Sequence, residues 1–167
     1  KALIDVCENL KHMCIMKLLY GCGLRVSEVI TLKISDIDSG NMRILIRNTK
    51  GKKDRTVALP KSLLLSLEHY YRLYQPKTVV FEGQKAQYYS PKSIQVFVKK
   101  YAQKAKIQKK VTPHMLRHSY ATHQLENGVS IKYIQAALGH KNITTTELYS
   151  HVANSSNRIK INPLDHL

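Results

Sequence analysis

Acidic residues are scarce in this sequence: Asp and Glu total 11 against 27 Lys and Arg, a formal net charge of +16. From Gly83 to Leu125 there is no carboxylate at all, yet that stretch holds Lys85, Lys92, Lys99, Lys100, Lys104, Lys106, Lys109, Lys110 and Arg117. With no carboxylate cluster to hold a metal, a metal-dependent nuclease is disfavoured; Asp36 and Asp38 read as a polar turn with local backbone bonds. Cysteine is also sparse. Cys7, Cys14 and Cys22 are odd in number and form no Cys-x-x-Cys pair, which argues against a disulfide framework and against a zinc site. They read as small core residues in a reducing compartment. No apolar run is long enough to span a bilayer, and no signal-peptide pattern opens the chain.

What is present is basic charge at two places. Beside the long acid-free stretch, Arg47, Lys50, Lys52, Lys53 and Arg55 form a second cluster. A basic surface kept for solubility explains charge in general, but an imbalance of this size favours nucleic acid, bound through phosphates and weakened by salt.

The 167 residues suit one domain with a proper core, 43% of them apolar. Apolar spacing predicts a helix over 3–19, ended by Gly21 and Gly23, and a second from Arg25 to Lys33. Met42, Ile44 and Ile46 alternate with Arg43, Leu45 and Arg47 as in a strand, and Arg55 to Leu59 is the return strand of a hairpin. Helices follow over 62–74, from Pro91 to about Lys106, from Thr112–Pro113 to about Glu126, and from Ser130 to Leu138. Residues 78–81 read as a short strand, and a last helix contains Thr145 to His151. Tyr120 and Tyr133 read as packed on their helices. The fold class is mainly α with a small antiparallel β-sheet (α+β). The domain spans 1–167, with 154–167 as a tail.

Four stretches carry chemistry when taken together. They are Gly23-Leu24-Arg25-Val26-Ser27-Glu28, the turn Thr49-Lys50-Gly51-Lys52, His114-Met115-Leu116-Arg117-His118, and Leu138-Gly139-His140 followed nine positions later by Tyr149. A phosphodiester gathers negative charge on its non-bridging oxygens during attack. Arg25 and Arg117 are suited to clamp those oxygens through paired, charge-assisted bonds, which is electrostatic catalysis. His114 and Arg117 are three apart on one helix and share a face. Glu28, one turn beyond Arg25, is placed to orient its guanidinium or a nearby histidine. Tyr149 is the candidate nucleophile. A phenol of ordinary pKa is ionised in only about one molecule in a thousand at pH 7, so it needs a base or cationic surroundings. Lys50, on its turn, suits a general acid for the leaving 5′ oxygen. His118 reads as a structural hydrogen-bonding residue. Lys52, Lys53, Arg55, Lys92, Lys99 and Lys100 are candidate DNA contacts.

In this order and in these contexts the residues resemble the tyrosine recombinase, or phage integrase, family, most of all its Xer-type bacterial members. The family pattern Arg, Lys, His-x-x-Arg, His, Tyr falls on Arg25, Lys50, His114 with Arg117, His140 and Tyr149. The similarity runs from about Leu18 to Val152, with Met115 where Thr is commoner in the family. It implies site-specific recombination of double-stranded DNA through a 3′-phosphotyrosyl intermediate, with no metal, no ATP and no other cofactor. It also implies a homotetramer on DNA, or pairing with a related recombinase, in a cytoplasmic, nucleoid-associated bacterial protein. An N-terminal DNA-clamping domain precedes this one in the family, and the abrupt start at Lys1 is expected to reflect its removal. A topoisomerase-like nicking-closing enzyme shares the same chemistry, and a non-catalytic DNA-binding module shares the same charge. The expectation is that this chain alone binds DNA more weakly than a version carrying the clamping domain. Titrations of both over a salt series check this, and equal affinities would contradict it.

Overall fold

The computed structural model describes residues 1–47, 54–83 and 88–139. In chain order the elements are α1 (Ala2–Asp5), α2 (Leu10–Gly21), α3 (Val26–Thr31), β1 (Ile37–Asp38), β2 (Arg43–Ile46), β3 (Arg55–Ala58), α4 (Lys61–Tyr74), α5 (Pro91–Lys104), α6 (Pro113–Glu126) and α7 (Ile131–Leu138). Helices dominate around a small antiparallel sheet, as the patterning predicted; the sheet has three strands in the order β1-β2-β3, with β1 added to the expected hairpin.

The helix expected over 3–19 is two helices. Asn9 interrupts it by capping α2: its side chain accepts the His12 N–H at 3.1 Å. An N-cap needs extended backbone, so the periodic pattern continues across a break it does not reveal. α3 stops at Thr31, short of Lys33, because Leu32 turns extended and its carbonyl accepts the Val80 N–H at 2.8 Å. Residues 78–81 form a single bridge, Lys33 to Val79, and no strand. Part of the polar turn expected at Asp36 and Asp38 is instead β1, paired with β2 through Ile37 and Ile44. The hairpin itself pairs Ile44 with Val57 and Ile46 with Arg55.

α2 is the central helix. Cys14, Ile15, Met16, Leu18 and Leu19 are all buried, and successive buried positions face all sides of a helix rather than one stripe. α6, α4, α5 and α3 surround it. All three cysteines are free thiols. Burial pushes the Cys14 and Cys22 thiols up to about 12, so both pack as apolar groups. A second small core joins α6 to α7 through Tyr120, Ala121, Ile134 and Leu138. Tyr133 departs from expectation: it lies 54% exposed on α7. Among the described residues no helix is long and apolar enough to cross a membrane.

Gly23 is the joint of this arrangement. Its φ is +63°, and a Cβ there would lie 2.6 Å from Tyr120 Cδ1 and 2.8 Å from Leu138 Cδ2. The chain therefore leaves α2 pressed against the α6–α7 core, which brings Arg25 toward both. Gly23→Ala should destabilise the domain by about 2–4 kcal/mol, from left-handed backbone strain plus overpacking. Urea unfolding of the two proteins measures it.

Candidate active site

The site is assembled around one carboxylate. Glu28 occupies the third position of α3, where its side chain reaches back to accept the backbone N–H of Arg25 at 2.8 Å. The Arg25 guanidinium donates Nη1–H to Glu28 Oε1 at 2.8 Å and Nη2–H to Gly139 O at 3.3 Å. Glu28 thus orients Arg25 twice, by backbone and by side chain. The Arg25 side chain remains 36% exposed, the most open of the arginines around this carboxylate.

Arg117 is the inner member. Its side chain is 4% exposed, Nη1 lies 3.8 Å from Glu28 Oε2, and the guanidinium donates to Gly23 O and, at 2.7 Å, to Leu138 O. Arg117 and Arg25 are therefore brought to the same carboxylate from α6 and from the start of α3. His114 is exposed at the first turn of α6, so the helical face it shares with Arg117 runs from solvent to interior. His118 is exposed one turn further on. Burial first, and the His114 charge second, lower its pKa.

Arg55 has a place that charge patterning did not anticipate. Grouped by sequence with the DNA-facing lysines, it points inward with its side chain 10% exposed. Nη1 and Nη2 grip Glu28 Oε1 and Oε2 at 2.9 and 2.8 Å, and Nε donates to Ala137 O at 2.7 Å. Three successive carbonyls at the end of α7 (Ala137, Leu138 and Gly139) thus accept Arg55, Arg117 and Arg25 in turn. A helix C-terminus carries partial negative charge, and cations are favourable there. Around Glu28 three guanidiniums meet one carboxylate, an excess of positive charge suited to an anion such as a phosphate.

Beside this cluster lies an open cavity of about 680 Å³, bordered by Val26, Lys99, Lys109, Lys110, Pro113 and His114. Lys99 of α5 lines it. Lys92 and Lys100 are exposed on the same helix, and Lys100 acts electrostatically on Glu8 and His12. Lys109 and Lys110 counted toward the basic stretch without being singled out as a site. Their signal was position: they lie three and two residues before Thr112, whose side chain caps α6 by accepting the Met115 N–H at 3.3 Å. Lys50, Lys52, Lys53, His140 and Tyr149 lie outside the described residues. Among the described residues no group of His, Cys, Asp and Glu is clustered to hold a metal.

Glu28 shows how this charge is balanced. Burial pushes its carboxyl pKa up, but bonds from Arg55 and Arg25 outweigh it and hold it below the ordinary 4.5. A carboxyl lowered in the folded state stabilises fully above its unfolded pKa, and that stability is lost as pH falls through the lower folded value. The stability advantage of the natural chain over Glu28→Gln should therefore be largest at neutral pH. It should close below about pH 4.5, as thermal melts at stepped pH would read.

Comparison with known proteins gives one consistent result. The model of the Phage integrase family matches residues 1–156. The chain is 42% identical over 156 residues to "Tyrosine recombinase XerA" of Pyrococcus horikoshii, covering 91% of this chain and 54% of that protein. It is 41% identical over 146 residues to a tyrosine recombinase of Thermosipho africanus, covering 87% of this chain and 51% of the relative. The chain thus spans about half the length of the curated relatives it matches. Its fold superposes on a crystal structure of XerA recombinase with a TM-score of 0.83 at 35% identity, over 90% of this chain and 55% of that one. It also superposes on XerH site-specific recombinase bound to palindromic difH substrate, a post-cleavage complex, with a TM-score of 0.81 at 26% identity over 90% and 46% of the two chains.

Proposed function

The chain belongs to the phage integrase family, and from that premise we propose that it cuts and rejoins double-stranded DNA as the catalytic domain of a tyrosine-type site-specific recombinase. The observation that carries this reading is the convergence of Arg25 and Arg117 on one largely buried carboxylate from distant parts of the chain. This leaves an arginine face open beside a lysine-lined cavity. Paired guanidiniums fit the two non-bridging oxygens of a phosphodiester and stabilise the charge that grows on them.

In this reading the Tyr149 hydroxyl attacks the phosphorus and its proton leaves to a base. The phosphorus–O5′ bond breaks, leaving a 3′-phosphotyrosyl bond and a 5′ hydroxyl. Lys50 protonates the departing 5′ oxygen. The 5′ hydroxyl of a partner strand then attacks the phosphotyrosine, and Tyr149 recovers its proton. One phosphoester replaces another, so the energy of the bond is conserved through the exchange. His114 and His140 complete the cationic surroundings of the phenol. Lys99, with Lys92, Lys100, Lys52 and Lys53, holds the flanking backbone.

The working assembly proposed is a homotetramer on DNA, or a pairing with a related recombinase, because strand exchange needs two duplexes each cut by its own subunits. The relatives include archaeal as well as bacterial proteins, so the proposed setting is a DNA-associated intracellular enzyme of either kind. DNA nicked close to the cleavage position traps the intermediate, because the released fragment diffuses away. The expected result is a covalent protein–DNA band on a denaturing gel, abolished by Tyr149→Phe. A band that survives this substitution would show a different nucleophile.

A further inference from the structure

Arg55 opens β3 directly after the lysine-rich turn, where charge alone would set it against DNA. Its guanidinium is instead used from three sides. Nη1 and Nη2 hold both oxygens of Glu28, and Nε holds Ala137 O. We propose that Arg55 is a positioning residue for phosphodiester cleavage: through Glu28 it sets the guanidinium of Arg25, and through Ala137 it sets the end of α7 from which the chain continues to His140. This rests on the reading above that Arg25 and His140 serve the scissile phosphate.

The geometry makes the link specific. Glu28 is shared, so the place where Arg55 holds the carboxylate is the place from which Arg25 Nη1 is aimed. The α7 end is shared as well, since Leu138 O and Gly139 O take the other two arginines. Arg55 thus spans both supports of the site, and moving it moves both. Gly139 keeps the space it needs. A Cβ there would lie 3.1 Å from Arg55 Cδ and 3.2 Å from Nε and Nη1, and the φ of +63° suits glycine. A lysine cannot replace this arrangement, because one ammonium on a flexible stem does not present a planar fork to two carboxylate oxygens and a third donor to a carbonyl.

The test separates positioning from DNA contact and from simple support of the fold. The whole chain, Arg55→Ala and Arg55→Lys are compared in two measurements. One is affinity for uncleaved duplex over a salt series. The other is the single-turnover rate of covalent adduct formation on the nicked duplex at saturating DNA. The expected result is an affinity within about twofold and an unchanged salt slope, since no phosphate contact is lost. The adduct rate should fall about 100-fold, the scale of a small misplacement of reacting groups. Arg55→Lys, which keeps a cation beside Glu28 and hence the fold, should remain as slow although its melting temperature approaches that of the natural chain. A salt slope reduced by about one with the saturated rate retained would overturn the proposal and make Arg55 a phosphate contact. A full-rate Arg55→Lys would overturn it too. If the unsubstituted chain formed no adduct, the cleavage reading itself would fail, and the salt slope would still decide whether Arg55 faces DNA.

Discussion

The arrangement of the domain's arginine-bearing face depends on one largely buried carboxylate. Glu28 is 11% exposed in its side chain and is met by Arg25, Arg55 and Arg117, which come from the start of α3, from β3 and from α6. A carboxylate taken out of water is costly unless its oxygens are filled by charged donors of good geometry. Here they are filled by two guanidiniums and a backbone N–H, which is why the carboxyl stays ionised despite its burial. These bonds tie β3 to α3, and the Arg117 ion pair adds α6, so charge balance and tertiary geometry are one constraint.

That constraint works because the backbone can come close. Gly23 lets the chain leave α2 against Tyr120 and Leu138, and its own carbonyl then accepts Arg117. The small core between α6 and α7 sets the end of α7 where its last carbonyls face the arginines. Apolar packing and polar satisfaction are therefore layered. Tyr120 and Leu138 pack against Gly23, and the Gly23 and Leu138 carbonyls accept Arg117. Arg117 is nearly closed off while Arg25 keeps an open side, so the positive charge of the cluster is presented at one edge. The lysine-lined cavity opens beside that edge, bordered by Val26, the residue after Arg25.

Much of this was legible from residues alone. The hairpin, α4, α5, α6 and α7 follow from periodicity and from cap residues such as Ser90, Thr112 and Ser130, each of which accepts the N–H three residues on. The role of Glu28 beside Arg25 was legible too, because a residue three places into a helix meets its N-cap whatever surrounds it. Local signals failed where a longer-range bond competed with them. Residues 78–81 have strand character but find one bridging partner, and α3 ends at Thr31, short of Lys33, because the Leu32 carbonyl is claimed by the Val80 N–H. The break at Asn9 was hidden inside an unbroken apolar rhythm.

The sequence by itself determined which reactive side chains exist, their order and the positive field they sit in, since those follow from residue chemistry and short spacing. Only the tertiary structure decided which way each guanidinium points. Arg55 lies in a run of basic residues and reads like its neighbours. It turns inward because a carboxylate 27 residues away and a carbonyl 82 residues away are delivered to it by the packing of α3 and α7. The direction of a long cationic side chain is set by the anion and carbonyl it finds, and no local pattern records where those will be.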